Sequence, residues 1–107
     1  MTAKELFEDV LPRILRENPE RAREFGGSIA FDLKGKGGGV WTVDARSLTP
    51  RVVSGKAASA LCIVTAEVAD FEAMLAEPKE ALPLYQQGRI RVEGESALAA
   101  NFHRLLR

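Results

Sequence analysis

The sequence has one cysteine, Cys62, and one histidine, His103, in 107 residues. A lone cysteine cannot staple the chain through an intrachain disulfide, so the fold must rest on its core; this usage also suits a reducing compartment. A metal site draws three or four ligands together and cysteine–histidine catalysis needs the two side chains to meet, so so few of these residues offer neither chemistry. Cys62 lies inside the apolar run 60–64 and reads as core filler, and His103 as a helix-surface residue. An excess charge of either sign is also lacking. Fifteen Lys and Arg balance fifteen Asp and Glu, which leaves no general field for neutralising phosphates and excludes nucleic acid as a partner. No stretch approaches the ~20 apolar residues of a membrane span. The opening MTAKELFEDVLPRILRENPE alternates apolar and charged residues without the apolar core or cleavage site of a signal peptide, so a cytoplasmic location is expected.

What is present is ordinary for a globular chain: 46% hydrophobic and 28% charged residues. At this length one domain, residues 1–107, is expected, hiding roughly 65% of the surface its unfolded chain exposes. Leu6, Phe7, Val10, Leu11, Ile14 and Leu15 recur at helical spacing, with Thr2 and Glu5 in the capping-box relation. Pro12 predicts a kink or a division of that helix. Asn18-Pro19 reads as a new N-cap and first helical residue, and Gly26-Gly27 as the end of the second helix. Ile29, Phe31 and Leu33 then alternate with Ser28, Ala30 and Asp32, the pattern of a half-buried strand over 28–33. Residues 35–39 join it to a second strand over 40–44, and a third lies near 51–53. The run 61–64 is apolar on both faces and predicts a central, fully covered strand. After Thr65, taken as an N-cap, Val68, Phe71, Met74 and Leu75 share a helical face that closes at Pro78. A helical segment over 79–87, interrupted by Pro83, stops at Gly88. Residues 89–93 alternate as a strand, and Ser96 caps a last helix with Leu98, Phe102, Leu105 and Leu106 on its apolar face.

Motifs that might carry chemistry resolve into structural roles. A phosphate cradle would need a Lys-Ser/Thr after the glycines of 35–39 and a helix behind them, whereas these glycines join two strands. Ser96 follows Gly94-Glu95 but lacks the second glycine of a nucleophile elbow. Glu93 and Glu95 are separated by the glycine that ends their strand, which argues against a paired-carboxylate site. Arg89 and Arg91 read as solvated strand residues. No catalytic residue, cofactor or metal is expected. By periodicity alone, the apolar helix faces are core.

The last third, PKEALPLYQQGRIRVEGESALAANFHRLL, resembles the C-terminal part of the sterol carrier protein type 2 family, with Gly88, Ile90, Val92, Gly94 and Leu98 where that pattern wants them. The stretch FGGSIAFDLKGKGGGVWTVDARSLTPRVVSGKAASALCIVTAEVADFEAML is similar to the family's strand region. The resemblance spans nearly the whole chain. It implies an α+β fold, a mixed five-stranded sheet covered by helices, with a hydrophobic tunnel for a fatty acid, fatty acyl-CoA or sterol. The implied function is non-enzymatic lipid binding and transfer, with transient membrane contact and a homodimer both compatible. A protein-interaction or dimerisation module with a self-filled pocket is the alternative. Under the resemblance, Phe71, Met74, Leu75, Leu82, Tyr85, Leu98, Phe102 and Leu106 become tunnel-lining candidates, and Gln86 and Gln87 set polar groups beside them to orient one end of a ligand. Some family members have further residues beyond the last helix that help cover the tunnel, whereas this sequence ends at Arg107; a more open tunnel, or one closed by a partner, is expected.

Overall fold

The computed structural model describes residues 1–106. Thr2 opens the first helix as its spacing from Glu5 predicts: the Thr2 hydroxyl accepts the Glu5 N–H (3.1 Å) and the Glu5 carboxylate accepts the Thr2 N–H (3.0 Å). These bonds to its charged form hold the Glu5 carboxyl below its usual range. The helix, α1, runs over 3–17 and is not divided at Pro12. It takes a π-helical turn over Leu6–Val10 immediately before the proline, with the Leu11 N–H donating to the Leu6 carbonyl. A wider turn accommodates the ring where regular α geometry would press it against the carbonyl four residues back. Helix α2, Pro19–Phe25, follows with proline at its first position and ends at Gly26. The Asn18 side chain does not cap it; its amide donates back to the Ile14 carbonyl at 3.4 Å.

Three strands form a meander, β1 (Ser28–Lys34), β2 (Gly39–Asp44) and β3 (Arg51–Ser54). The chain then returns to the open edge of β1 as β4 (Cys62–Glu67), parallel to it, and β5 (Ile90–Gly94) adds antiparallel beyond. The result is a mixed five-stranded sheet in the order β3-β2-β1-β4-β5. Helix α3 (Val68–Ala76) follows β4, α4 (Ala81–Gln86) follows a short 3₁₀ turn at Pro78–Glu80, and α5 (Ser96–Asn101) continues into a 3₁₀ turn at Phe102–Leu106. Alternation aims Ile29, Phe31, Leu33, Val43, Cys62 and Val64 at the helices, and all are buried. Phe31 is the centre of this core. Its ring lies 4.9 Å from Phe7 of α1, 5.5 Å from Phe71 of α3 and 4.7 Å from Phe102 after α5, joining three helices to the middle strand.

Several expectations change. The first half of β1 is buried on both faces, since Ser28 and Ala30 are covered nearly as fully as Ile29, and only Asp32 and Lys34 open toward solvent. On the second face the loop after β3 folds against the sheet. The Thr42 hydroxyl donates to the Gly55 carbonyl (2.7 Å) and accepts the Ala57 N–H (2.9 Å), an attachment that alternation does not reveal. Strand β4, expected to be covered throughout, has Ile63 and Thr65 half-buried on that face and runs three residues further, to Glu67. Thr65 is therefore a strand residue, and Glu67 occupies the N-cap position of α3 without a side-chain cap bond. Pro83 does not interrupt α4; it sits in the first turn, where the missing N–H has no intrahelical partner to lose. Ser96 is the first residue of α5, with Glu95 at the cap position and no side-chain cap bond. Arg89 precedes β5 and makes a two-pronged contact with Asp70 of α3, at 3.1 and 2.7 Å.

Cys62 is fully buried, and burial pushes its thiol up. Since the thiolate is the reactive species, native protein is expected to resist iodoacetamide while denatured protein is alkylated. Equal rates in the two states, measured by mass spectrometry, would show that Cys62 is accessible.

Candidate functional site

The helices do not cover the β4–β5 side of the sheet completely. Helix α4 buries only Leu84. Helix α5 is pinned at its other side, where the Leu98 side chain occupies the space above Gly27; a Cβ on that glycine would fall 2.3 Å from a Leu98 methyl. Between them lies a cavity of about 520 Å³. Its floor is Phe31, Val64, Ile90 and Val92 of the sheet, and Met74 closes the α3 end. Ala81, Leu82 and Tyr85 form the α4 lip. Ser96, Ala97, Ala99 and Ala100 form the α5 lip, with Phe102 beyond. The alanines make the space: each side chain stops at Cβ on the helix face where a leucine would fill the gap. The mouth lies between α4 and α5, where Leu82 and Tyr85 remain 62% and 56% exposed.

Of the residues singled out from the sequence, the cavity brings together Met74, Leu82, Tyr85 and Phe102. Phe71 is elsewhere, fully buried between the Phe7 and Phe31 rings. Leu75, Leu98 and Leu106 pack partly buried against the core and do not border the cavity. Gln86 and Gln87 are exposed at the end of α4, outside the lining. The strand floor and the alanines were missed. Their signal was the pairing of Ile90 and Val92 on one face of β5, together with the run of small residues after Ser96.

Among the described residues, no charged side chain lines the cavity. Arg89 is engaged by Asp70, and Arg91 alternates to the opposite face from Ile90 and Val92. A second, polar cavity of about 300 Å³ is bordered by Arg21, Glu24, Phe25, Asn101 and Arg104. Among the described residues, no three His, Cys, Asp or Glu side chains are close enough to hold a metal ion, and no helix is long and apolar enough to cross a membrane. The larger cavity offers shape and apolar surface, which can hold a hydrophobic body.

Residues 7–107 match the SCP-2 sterol transfer family. Human sterol carrier protein 2 is 24% identical over 103 residues, which cover 94% of this chain and only 19% of that protein's length. Among solved structures, the apo form of sterol carrier protein 2 from Yarrowia lipolytica superposes with a TM-score of 0.75 at 26% identity, covering 92% of this chain and 84% of that one. The palmitated sterol carrier protein 2-like 2 of Aedes aegypti gives a TM-score of 0.71 at 25% identity, covering 95% and 91%.

Proposed function

Because this chain belongs to the SCP-2 sterol transfer family, we propose that it binds and transfers a lipid, holding the hydrocarbon part in the cavity between β4–β5, α4 and α5 without catalysing any reaction on it. The observation that carries this reading is the cavity itself: about 520 Å³ in volume, with an apolar floor and apolar walls. The palmitated relative supports an acyl chain as the occupant. Each buried methylene contributes ~0.8 kcal/mol, so a chain of about twelve carbons gains ~10 kcal/mol before the costs of association are subtracted. Shape and apolarity therefore suffice for useful affinity. The exposed Leu82 and Tyr85 at the mouth suit brief contact with a bilayer, from which a carrier collects its ligand, and the single buried cysteine suits work in the cytoplasm.

Met74 tests the proposal because it lines the cavity while only half-buried, so a larger side chain can enter the space without displacing the core. Met74→Trp is expected to fill the α3 end and weaken binding of a pyrene-labelled long-chain lipid by about tenfold or more, while the melting temperature changes little. Equal binding by parent and variant would remove the cavity as the site and turn attention to the same surface as a protein-interaction module.

A further inference from the structure

The sheet has two edges, and they offer different things to another strand. At one edge, β3 is four residues long, follows Pro50 directly and passes at Gly55 into the loop bonded to Thr42. Shortness and a neighbouring proline are ordinary guards of an edge. At the other edge, β5 contains no proline, and its Arg91, Glu93 and Gly94 are exposed. The β4–β5 register, with Cys62 opposite Gly94, continues to Leu61 opposite Glu95, where the Glu95 N–H donates to the Leu61 carbonyl. Hydrogen-bonded pairs alternate along an antiparallel ladder, so Arg91 and Glu93 turn their N–H and C=O toward β4, and Ile90 and Val92 turn theirs outward. The bond from the Ala45 N–H to the Gly27 carbonyl, followed strand by strand across the sheet, gives the same assignment. The Arg91 and Glu93 side chains share the face away from the helices, and neither makes an ion pair among the described residues.

We infer that β5 is a docking edge for a second copy of this chain, paired antiparallel about a two-fold axis at Val92 so that the two five-stranded sheets join edge to edge. The residues around Val92 are antisymmetric in charge: Arg89 and Arg91 precede it, and Glu93 and Glu95 follow it. Because Ile90 and Val92 hold the outward backbone groups, even-numbered residues must face even-numbered ones. Val92 opposite Val92 meets that requirement. It sets Arg91 opposite Glu93 of the second copy twice over, with Ile90 opposite Gly94. A slip of two residues in either direction sets Arg91 opposite Arg91 or Glu93 opposite Glu93, and like charges directly opposite destabilise a strand pair. Arg89 and Glu95 extend the match beyond the strand, although Arg89 is already held by Asp70. Charged side chains commonly guard an edge against other strands. A reversed copy of the same strand answers both charges. Five residues from each copy make a small, exposed contact, so the dimer is transient and weakens as salt rises. The Val92 floor positions of the two cavities come to lie side by side across the axis, but the association itself needs no lipid.

Sedimentation velocity of the whole chain tests the edge, with the melting temperature as the control for folding. The parent is expected to dimerise with a Kd on the order of 100 μM in low salt. Arg91→Glu and Glu93→Arg each set like charges opposite one another and are each expected to weaken the dimer about tenfold. Both positions are exposed, so the single variants should keep the parent's melting temperature. The double variant Arg91→Glu, Glu93→Arg keeps the parent's net charge and restores the opposite-charge pairs, so it should dimerise within about twofold of the parent. Mixed with fluorescently labelled parent, the same double variant again sets like charges opposite one another, and the mixed dimer should be about tenfold weaker than either homodimer. A parent that stays monomeric up to about 1 mM overturns the inference. So does a dimer that neither single substitution weakens, which places the contact elsewhere. A double variant that fails to recover, or that pairs with the parent as readily as with itself, refutes the pairing about Val92.

Discussion

Phe71→Ala is expected to cost about 3–5 kcal/mol of unfolding free energy, the usual range for truncating a fully buried phenylalanine. The Phe71 ring is fully buried, stacked 5.7 Å from Phe7 and edge-on 5.5 Å from Phe31, and it does not border the cavity. Removing it leaves a hole with packed atoms on every side. Phe102→Ala makes the informative comparison. Its ring is almost as buried and lies 4.7 Å from Phe31, yet one side already faces the cavity, so fewer contacts are lost. Its expected cost is about 2 kcal/mol, below the range for a fully packed ring. Lipid binding should respond in the opposite order, weakened by Phe102→Ala and, in molecules that remain folded, hardly altered by Phe71→Ala. Urea unfolding of both variants, with binding measured well below the transition, checks the pair. Equal losses of stability would mean that the cavity wall is packed as tightly as the core.

The elements and their order were legible because their signals are local. The Thr2–Glu5 capping box, Pro19 at a helix start, the 28–33 alternation and the Arg89–Glu93 alternation each need only a few neighbouring residues. Periodicity says that one face of an element is apolar, but not how far an opposing element stands from it. Phe71 and Met74 therefore looked equivalent on one helical face, although one is central core and the other a cavity wall. The distinction depends on α4 burying Leu84 alone and leaving the rest of its length beside an open cavity, a tertiary fact that no window of the sequence contains. The alanines of α5 were passed over for a related reason. A small side chain is weak as a hydrophobic signal, although in a cavity wall its lack of bulk is what creates the space. Caps misled in the other direction, because Thr65 and Ser96 have the side chains of cap residues while the backbone continues through them as strand and helix.

Gly94 is the position where the sheet is expected to tolerate least change. It closes β5 with φ at +86°, and a Cβ there would fall 2.2 Å from the Leu61 carbonyl oxygen and 3.3 Å from the Cys62 Cα. Both obstacles are backbone, so no side-chain rotation relieves them. Gly94→Ala must therefore push β5 away from β4 and strain the bond in which the Glu95 N–H donates to the Leu61 carbonyl at 2.9 Å. The left-handed backbone costs an alanine roughly 1–2 kcal/mol and a lost hydrogen bond about 1 kcal/mol. With disturbance of the β4–β5 pairing added, a total near 3 kcal/mol or above is expected. Gly88 separates these contributions. It too has positive φ, +74°, but nothing lies within 4 Å of its would-be Cβ, so Gly88→Ala should incur only the roughly 1–2 kcal/mol of backbone strain. Binding should divide the two variants further. Displacing Gly94 moves Val92 on the cavity floor and Ser96 on its lip, so lipid affinity should fall in Gly94→Ala and hold in Gly88→Ala. Thermal unfolding and lipid titration of both variants decide the matter. If they lose the same stability and bind equally, the close approach of Gly94 to Leu61 does not hold this wall of the cavity in place.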